Sequence, residues 1–195
     1  PVPPAPGPVE PDPPAPEKLP FVDVKENSWY YDAVRYVYFN SLMAGTAETL
    51  FSPEASTTRG MIVTILWRLE GKPESGVPMT FTDVRPGTYY QEAIAWAAEQ
   101  GIVAGRSEKI FAPDDPITRQ ELAAILHRYA GSPEAGSALD RFADSSAASK
   151  YAKPALSWAV EAGVLSGKGN GILDPKGRST RAEAASMLMR YCGIK

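Results

Sequence analysis

The sequence predicts an all-α fold in which three helix-loop-helix repeats pack around a central three-helix bundle. Three observations support this prediction. The same motifs recur about every sixty residues, each repeat contains two apolar runs at helical spacing, and neither run is long enough to bury its own apolar face. Residues 21–195 are therefore expected to form one structural domain with a shared core. An open solenoid of helix pairs is the competing arrangement.

The repeats align on landmarks that occur in the same order. Each has an opening Phe-x-Asp, an aromatic residue, a glycine, a Phe-x-Pro or Leu-x-Pro, and a Thr-Arg pair. These landmarks fall at Phe21, Asp23, Trp29, Gly45, Phe51 and Arg59, then at Phe81, Asp83, Tyr89, Gly105, Phe111 and Arg119, and finally at Phe142, Asp144, Tyr151, Gly167, Leu173 and Arg181. The predicted repeats are residues 21–71, 81–131 and 142–193.

Residues 1–20 are too rich in proline for a helix or a sheet and are predicted to be an extended linker. We expect this linker to connect the repeats to a cargo region upstream of it.

The second repeat shows the two predicted helices most clearly. Apolar residues at helical spacing within residues 90–103 predict a first helix that ends at Gly105. A second helix is predicted over residues 119–129, followed by Gly131. Since the first helices are rich in alanine, which permits close packing, we expect them to meet at the centre with the second helices outside.

A capping box marks the start of two second helices. The Thr side chain accepts a hydrogen bond from a free backbone N–H of the first turn, and a Glu three residues later reaches back to the backbone of the Thr. The pairs are Thr118 with Glu121 and Thr180 with Glu183. Both Glu residues are therefore predicted to be structural caps. In the first repeat Thr58 is followed by Gly60-Met61 instead, and this loss of the carboxylate is expected to loosen Arg59.

An arginine follows each capping threonine, at the first helical position. A guanidinium beside the positive end of a helix and its free N–H groups favours binding of a carboxylate or phosphate. The three arginines are Arg59, Arg119 and Arg181. A salt bridge with a neighbouring helix is the alternative role for each.

The composition excludes several classes of protein. A net charge of −3 gives no general attraction to nucleic acid or to an anionic membrane, and no apolar stretch is long enough to span a bilayer. The single Cys192 excludes an internal disulfide, and the single His127 argues against a zinc site. We therefore predict no metal, no cofactor, no nucleic-acid partner and no membrane insertion.

Together, the ordered motifs resemble the S-layer homology domain over residues 21–195. The resemblance rests on Phe-x-Asp, the aromatic, Gly-x-x-x-Gly from Gly101 to Gly105 and from Gly163 to Gly167, Phe-x-Pro, and Thr-Arg-x-Glu. It implies a three-pronged spindle with pseudo-threefold symmetry that anchors an exported protein to the bacterial cell surface. It also implies a ligand, a secondary cell wall polysaccharide that carries pyruvyl ketals.

The resemblance further implies which residues bind the ligand. It assigns the arginines to the acid group, the aromatic residues to the sugar ring, and the aspartates to sugar hydroxyls, with the arginine and the aromatic of one groove coming from different repeats. An aspartate that caps the following turn is the alternative. The implied ligand-binding residues are Arg59, Arg119, Arg181, Thr58, Thr118, Thr180, Asp23, Asp83, Asp144, Trp29, Tyr89 and Tyr151.

These observations favour a non-catalytic, monomeric anchor outside the cell. A helical-repeat scaffold for protein interactions and a glycan-cleaving enzyme with two carboxylates are the alternatives. No nucleophile with an adjacent base is visible, and the first repeat lacks the Glu of the other two. Replacing Arg119 and Arg181 together by Ala is expected to abolish retention on the cell wall while leaving thermal unfolding almost unchanged.

Overall fold

The computed structural model describes residues 18–194, which contain six α-helices and no β-strand. The all-α prediction is therefore confirmed. The predicted linker, residues 1–20, lies outside the described residues except for its last three. The helices are α1 (Tyr31–Phe39), α2 (Arg59–Leu69), α3 (Gln91–Glu99), α4 (Arg119–Tyr129), α5 (Lys153–Glu161) and α6 (Arg181–Gly193). Three short 3₁₀ helices, Ala138–Arg141, Ser145–Ala147 and Lys150–Ala152, precede α5.

The ends of the helices confirm one prediction and correct another. Helix α4 covers the predicted residues, and Gly131 after it has a left-handed φ of +83°. Helix α3, in contrast, ends before Gly101, whose φ is +68°, and does not continue to Gly105. Ile102 and Val103 then turn back, and both donate their N–H to the carbonyl of Ala97. The apolar spacing continues past the helix because these two side chains still face the core.

The helices pack in pairs that cross from one repeat to the next. Helix α2 packs against α3, α4 against α5, and α6 against α1. The second helix of each repeat thus lies on the first helix of the following repeat, and the last repeat returns to the first. Because α6 contacts α1, the repeats close on themselves, and residues 18–194 do not form an open solenoid.

A ring of three backbone hydrogen bonds joins the segments just before the second helices. Thr57 N–H donates to Ser179 O (3.0 Å), Ser179 N–H donates to Ile117 O (2.8 Å), and Ile117 N–H donates to Thr57 O (2.9 Å). All three residues are fully buried. The starts of α2, α4 and α6 are therefore fixed relative to one another.

The second helices approach one another at their ends, whereas the meeting of the first helices at the centre stays a prediction. Besides the ring at their starts, the Tyr129 hydroxyl at the end of α4 donates to Glu70 beyond α2. The Tyr129 ring also lies 5.5 Å from that of Tyr191 in α6. Among the described residues, the extensive contacts between α-helices join a second helix to a first helix in every case, and include neither two first helices nor two second helices. The second helices carry large aliphatic side chains that fill the interior, whereas the alanine-rich first helices pack closely onto them.

Within residues 18–194, every helix is too short or too polar to cross a lipid bilayer.

Candidate functional site

The side chain of each repeated arginine extends into the next repeat. Its Nε donates to the carbonyl of the Phe-x-Pro or Leu-x-Pro motif, and its Nη2 donates to the carbonyl just before the repeated glycine. The bonds run from Arg59 to Phe111 (3.1 Å) and Ala104 (2.9 Å), from Arg119 to Leu173 (2.9 Å) and Ser166 (2.7 Å), and from Arg181 to Phe51 (2.8 Å) and Ala44 (2.6 Å). Only 3–6% of each arginine is exposed. The guanidinium groups are thus fixed by the neighbouring repeat.

Two of the three guanidinium groups also lie over an aromatic ring. Arg59 lies 4.6 Å from the ring centroid of Phe111, and Arg181 lies 4.5 Å from that of Phe51. Arg119 has Leu173 at this place. A cation–π contact therefore adds to the hydrogen bonds in two of the three positions.

The capping boxes are confirmed, and their glutamates also face the arginine of the preceding repeat. Glu121 accepts the N–H of Thr118 (2.8 Å), and its other oxygen lies 3.8 Å from Nη1 of Arg59. Glu183 accepts the N–H of Thr180 (3.1 Å) and lies 3.2 Å from Nη1 of Arg119. Each glutamate thus links the start of its own helix to the preceding repeat.

The pKa of Glu121 is lower than that of an ordinary glutamate. Burial by itself raises this pKa, but hydrogen bonds from the backbone and hydroxyl of Thr118, with the charges of Arg106 and Arg59, outweigh burial. Glu121 is therefore ionised at neutral pH.

The first repeat has Met61 at the position of these glutamates. Glu121 and Glu183 each face the arginine of the preceding repeat. Since the third repeat precedes the first in the closed arrangement, Met61 corresponds to a partner of Arg181 and not of Arg59. No ion pair of Arg181 with a carboxylate occurs in residues 18–194. The partners of Arg59 lie in the second repeat, and the expected loosening of Arg59 by Gly60-Met61 stays a prediction.

Two of the arginines open onto equivalent cavities between repeats, which we name groove 1 and groove 2. Groove 1 has a volume of about 250 Å³ and groove 2 of about 320 Å³. The charged and aromatic side chains of groove 1 are Arg59, Arg106, Glu121, Arg128 and Tyr151. Those of groove 2 are Arg119, Lys168, Glu183, Arg190 and Trp29. Each groove thus combines three basic side chains, one acidic side chain and one aromatic ring.

All three repeats contribute to each groove. In groove 1 the buried arginine belongs to the first repeat, the loop and the second helix to the second, and Tyr151 to the third. In groove 2 the aromatic is Trp29 of the first repeat. These rings are largely exposed, Tyr151 by 54% and Trp29 by 66%, so their faces are accessible to a ligand. By the repeat alignment, the residues that correspond in the third position are Arg181, Arg68 and Tyr89. Of these, Arg68 lies close enough to Tyr89 for its charge to act on the Tyr89 hydroxyl.

The sequence was also compared with known proteins and protein families. A sequence model of the S-layer homology domain matches residues 20–60, 80–123 and 141–185. The chain belongs to the S-layer homology domain family.

Relatives of this S-layer homology domain chain include wall and surface proteins and enzymes. It is 34% identical over 174 residues to an endoglucanase of Bacillus sp. (strain KSM-635), covering 87% of this chain and 18% of that enzyme. It is 34% identical over 170 residues to the surface-layer 125 kDa protein of Lysinibacillus sphaericus, covering 85% of this chain and 14% of that protein. It is 31% identical over 113 residues to a cellulosome-anchoring protein of Acetivibrio thermocellus, covering 55% of this chain and 25% of that protein.

The chain spans a quarter or less of the length of these relatives. Enzyme names among them therefore describe proteins of which the S-layer homology segment is a small part. The family and the surface-layer relatives indicate an extracellular location at the cell surface and the function of a surface-anchoring module.

The threonines and aspartates implied by the family resemblance hold the fold together. The hydroxyl oxygens of Thr58, Thr118 and Thr180 each accept the N–H three residues later. Each aspartate accepts two consecutive backbone N–H groups; Asp83, for example, accepts from Phe111 (2.9 Å) and Ala112 (2.7 Å). Equivalent bonds join Asp23 to Phe51 and Ser52, and Asp144 to Leu173 and Asp174.

None of the three aspartates lines groove 1 or groove 2. Their carboxylates stabilise a loop residue with positive φ, such as Ala112 at +59°. Burial raises the pKa of Asp144, but its backbone hydrogen bonds outweigh this effect and lower it below the usual range. The structure thus supports the alternative of a turn cap, and a contact of these aspartates with sugar hydroxyls stays a prediction.

Four basic residues of the grooves were not predicted from the sequence. Arg106 and Lys168 follow the repeated glycine, and Arg128 and Arg190 occur nine residues after the buried arginine. Arg106 lies 2.6 Å from Glu121, and Lys168 lies 3.4 Å from Glu183. Arg128 and Arg190 could have been recognised from the sequence, because the first repeat has Arg68 at the same position, so that all three repeats have an arginine there.

Substituting Met61→Glu should stabilise the protein, because it completes the missing capping box. The new carboxylate can accept the N–H of Thr58 and can face Nη1 of Arg181. We expect the free energy of unfolding to rise by about 0.5–2 kcal/mol. Urea unfolding at neutral pH measures this change. Met61→Gln, which restores the acceptor without the charge, should give a smaller gain, and an unchanged midpoint for both variants would contradict the proposed role of position 61.

Proposed function

We propose that the chain is a non-catalytic anchor that binds a pyruvylated secondary cell wall polysaccharide in grooves 1 and 2. Bound in this way, it holds an exported cargo, joined through the Pro-rich linker, at the bacterial surface. The observation that carries the proposal is the excess of positive charge in each groove beside an exposed aromatic ring. A pyruvyl ketal places a carboxylate on a sugar, so both features have a partner in one ligand.

The charge of the grooves favours an acidic ligand. Each groove has three basic side chains and one carboxylate, and part of this charge is shielded from bulk water. The buried arginine and the glutamate neutralise each other in part, and Arg106 and Lys168 also pair with Asp115 (3.4 Å) and Asp174 (3.1 Å) beside the grooves. Arg128 and Arg190 have no carboxylate partner among the ion pairs of residues 18–194, which leaves them for a ligand carboxylate. Charge-assisted hydrogen bonds to such a group are stronger than neutral ones.

The aromatic residues favour a sugar as the carrier of the acid. Tyr151 and Trp29 expose more than half of their surface at the rim of a cavity that also contains a fixed cation. An apolar face of a pyranose ring can pack on such a ring. The positions of these residues support recognition of sugar and acid together.

The acidic residues of the grooves favour binding over catalysis. Glycan cleavage ordinarily requires two carboxyl groups, one of which must hold a proton. The lining of each groove includes a single carboxylate. In groove 1 that carboxylate has a lowered pKa and is engaged as a helix cap. It is therefore poorly suited to donate a proton.

Two grooves on one monomer can retain a polymer even if each binds weakly. When one groove is occupied, the second meets the same polysaccharide at a high effective concentration. A monomer with two competent grooves is therefore sufficient for firm attachment.

A sedimentation assay with purified cell wall sacculi tests the proposal. We expect the protein to sediment with intact sacculi and to remain in solution after the secondary polymer is chemically removed. Release of soluble glycan would indicate an enzyme instead. Retention that does not depend on the polymer would overturn the proposal.

Substituting Tyr151→Ala or Trp29→Ala should weaken binding of a pyruvylated saccharide by one groove about two- to tenfold, from the loss of one aromatic contact. The double variant should lose sedimentation with sacculi by more than the product of the single effects, because both grooves are weakened. Isothermal titration calorimetry with a short pyruvylated saccharide measures the first effect.

Phe39→Ala is the matched control, since Phe39 is an exposed aromatic residue that lines neither groove. Equal loss of binding by Phe39→Ala and Tyr151→Ala would contradict the assignment of the grooves.

A further inference from the structure

A second cavity adjoins groove 2 at residues 165–167, which line both cavities. This cavity, which we name the Arg141 cavity, has a volume of about 450 Å³. It shares Leu165, Ser166, Gly167 and Arg190 with groove 2. The two cavities are therefore adjacent, with Arg190 at their boundary.

The Arg141 cavity is basic. Arg141 and Arg190 line it, and no acidic side chain does. The Arg141 guanidinium lies 5.2 Å from the ring centroid of Phe142, and Arg190 Nη1 donates to the hydroxyl of Ser166 (3.1 Å). Neither cation is paired with a carboxylate among the ion pairs of residues 18–194. Both are thus available to an anionic ligand.

Glycines form much of the wall of this cavity. Gly163, Gly169 and Gly171 have positive φ, and a Cβ added at any of them would meet no atom within 4 Å. The backbone is therefore open at these positions. Phe142 and Ile172 add apolar surface beside it. A wall of bare backbone and apolar side chains next to two cations suits an acidic sugar that packs the C–H face of its ring on the wall.

These features are specific to the third repeat. The second repeat has Thr80 in place of Arg141, and Ser107 and Lys109 in place of Gly169 and Gly171. The first repeat has Pro20, Ala47 and Thr49 at the same three positions. Arg141 and the loop with Gly169 and Gly171 therefore occur together only in the third repeat.

We propose that the Arg141 cavity is a second anion subsite, which binds a further acidic group on the same polysaccharide chain whose first acidic sugar occupies groove 2. This inference rests on the proposed function for the identity of the polymer. Arg190, which lines both cavities, lies between the two subsites. The polysaccharide therefore passes from one subsite to the other over Ser166 and Gly167. Groove 2 thereby selects longer, repeatedly charged saccharides, whereas groove 1 recognises a single acidic sugar.

Calorimetric titration with two saccharides tests this subsite. The probes are a pyruvylated monosaccharide and a tetrasaccharide of the same polymer that carries two pyruvyl ketals. Arg141→Ala should leave binding of the monosaccharide unchanged and weaken binding of the tetrasaccharide about three- to tenfold, as expected for one partly exposed charge contact. Arg141→Glu should weaken the tetrasaccharide further and still spare the monosaccharide. Lys25→Ala, which removes an exposed cation outside these cavities, should change neither.

The outcomes separate this subsite from the proposed function. If the wild-type protein binds neither saccharide, the proposed function fails and the subsite with it. If the wild-type protein binds both but the Arg141 variants bind both as the wild type does, the subsite alone is overturned. Equal weakening of both saccharides by Arg141→Ala would also overturn it, because Arg141 would then act on groove 2 itself. Unchanged thermal unfolding of the variants shows that they are folded.

Discussion

Replacing Arg119 by Ala is expected to lower the free energy of unfolding by about 3–5 kcal/mol, in addition to its effect on binding. The substitution removes the donors of the Leu173 and Ser166 carbonyls and the nearest cation of Glu183. Since Arg119 is only 3% exposed, water cannot readily replace these donors. The expectation of nearly unchanged unfolding, which the sequence suggested, does not apply to a buried arginine.

Urea unfolding followed by circular dichroism measures this effect. Arg119→Lys should recover only part of the loss, because one ammonium cannot reproduce the planar pair of donors. Arg128→Ala is the matched control, since Arg128 is an exposed arginine of groove 1 and should change stability by less than about 0.5 kcal/mol. A stable Arg119→Ala protein would show that these interactions across repeats are not essential to the fold.

Gly105→Ala is expected to lower the free energy of unfolding by about 2–3 kcal/mol, because the loop beside groove 1 has no room for a methyl group. A Cβ atom at this position would overlap the carbonyl oxygen of Ser107. It would also lie 2.6 Å from the carbonyl oxygen of Ile110 and from Cε1 of Phe81. The loop must therefore move, and it includes Ala104, the acceptor for Arg59.

The same urea titration tests this prediction, together with binding of the pyruvylated monosaccharide. Gly193→Ala is the matched control, because a Cβ there meets no atom within 4 Å and the residue lies in the last turn of α6. That variant should be neutral or slightly more stable. If both variants were equally stable, the tight packing around the repeated glycine would have no energetic consequence.

The repeated residues in the sequence were sufficient to predict the local structure. Helix α4 and both capping boxes follow from the spacing of Thr118, Glu121 and the apolar residues after them, because these interactions lie within one turn of helix. The end of α3 was harder to predict. Ile102 and Val103 continue the apolar pattern after the backbone has left the helix, so the pattern alone does not separate Gly101 from Gly105 as the end of the helix.

The candidate site was only partly predictable. The three arginines were identified from their repetition and the aromatic residues from the family resemblance, and the structure places Arg59 with Tyr151 and Arg119 with Trp29. The sequence did not show whether the repeated aspartates bind ligand or cap a loop, because a carboxylate in either role gives the same repeated pattern. The distinction depends on partners 28–30 residues away along the chain.

The sequence by itself determined the all-α class, the three repeats and the starts of the second helices, since each depends on neighbours within a few residues. Only the tertiary structure decided which helices pack against each other and which repeat supplies the partners of each arginine. It also decided that Met61 corresponds to a partner of Arg181 and not of Arg59. These features depend on closure of the third repeat onto the first, through the Thr57, Ile117 and Ser179 hydrogen bonds and the packing of α6 on α1. Contacts over such separations leave no periodic signal in the sequence, because they are set by the packing of whole helices.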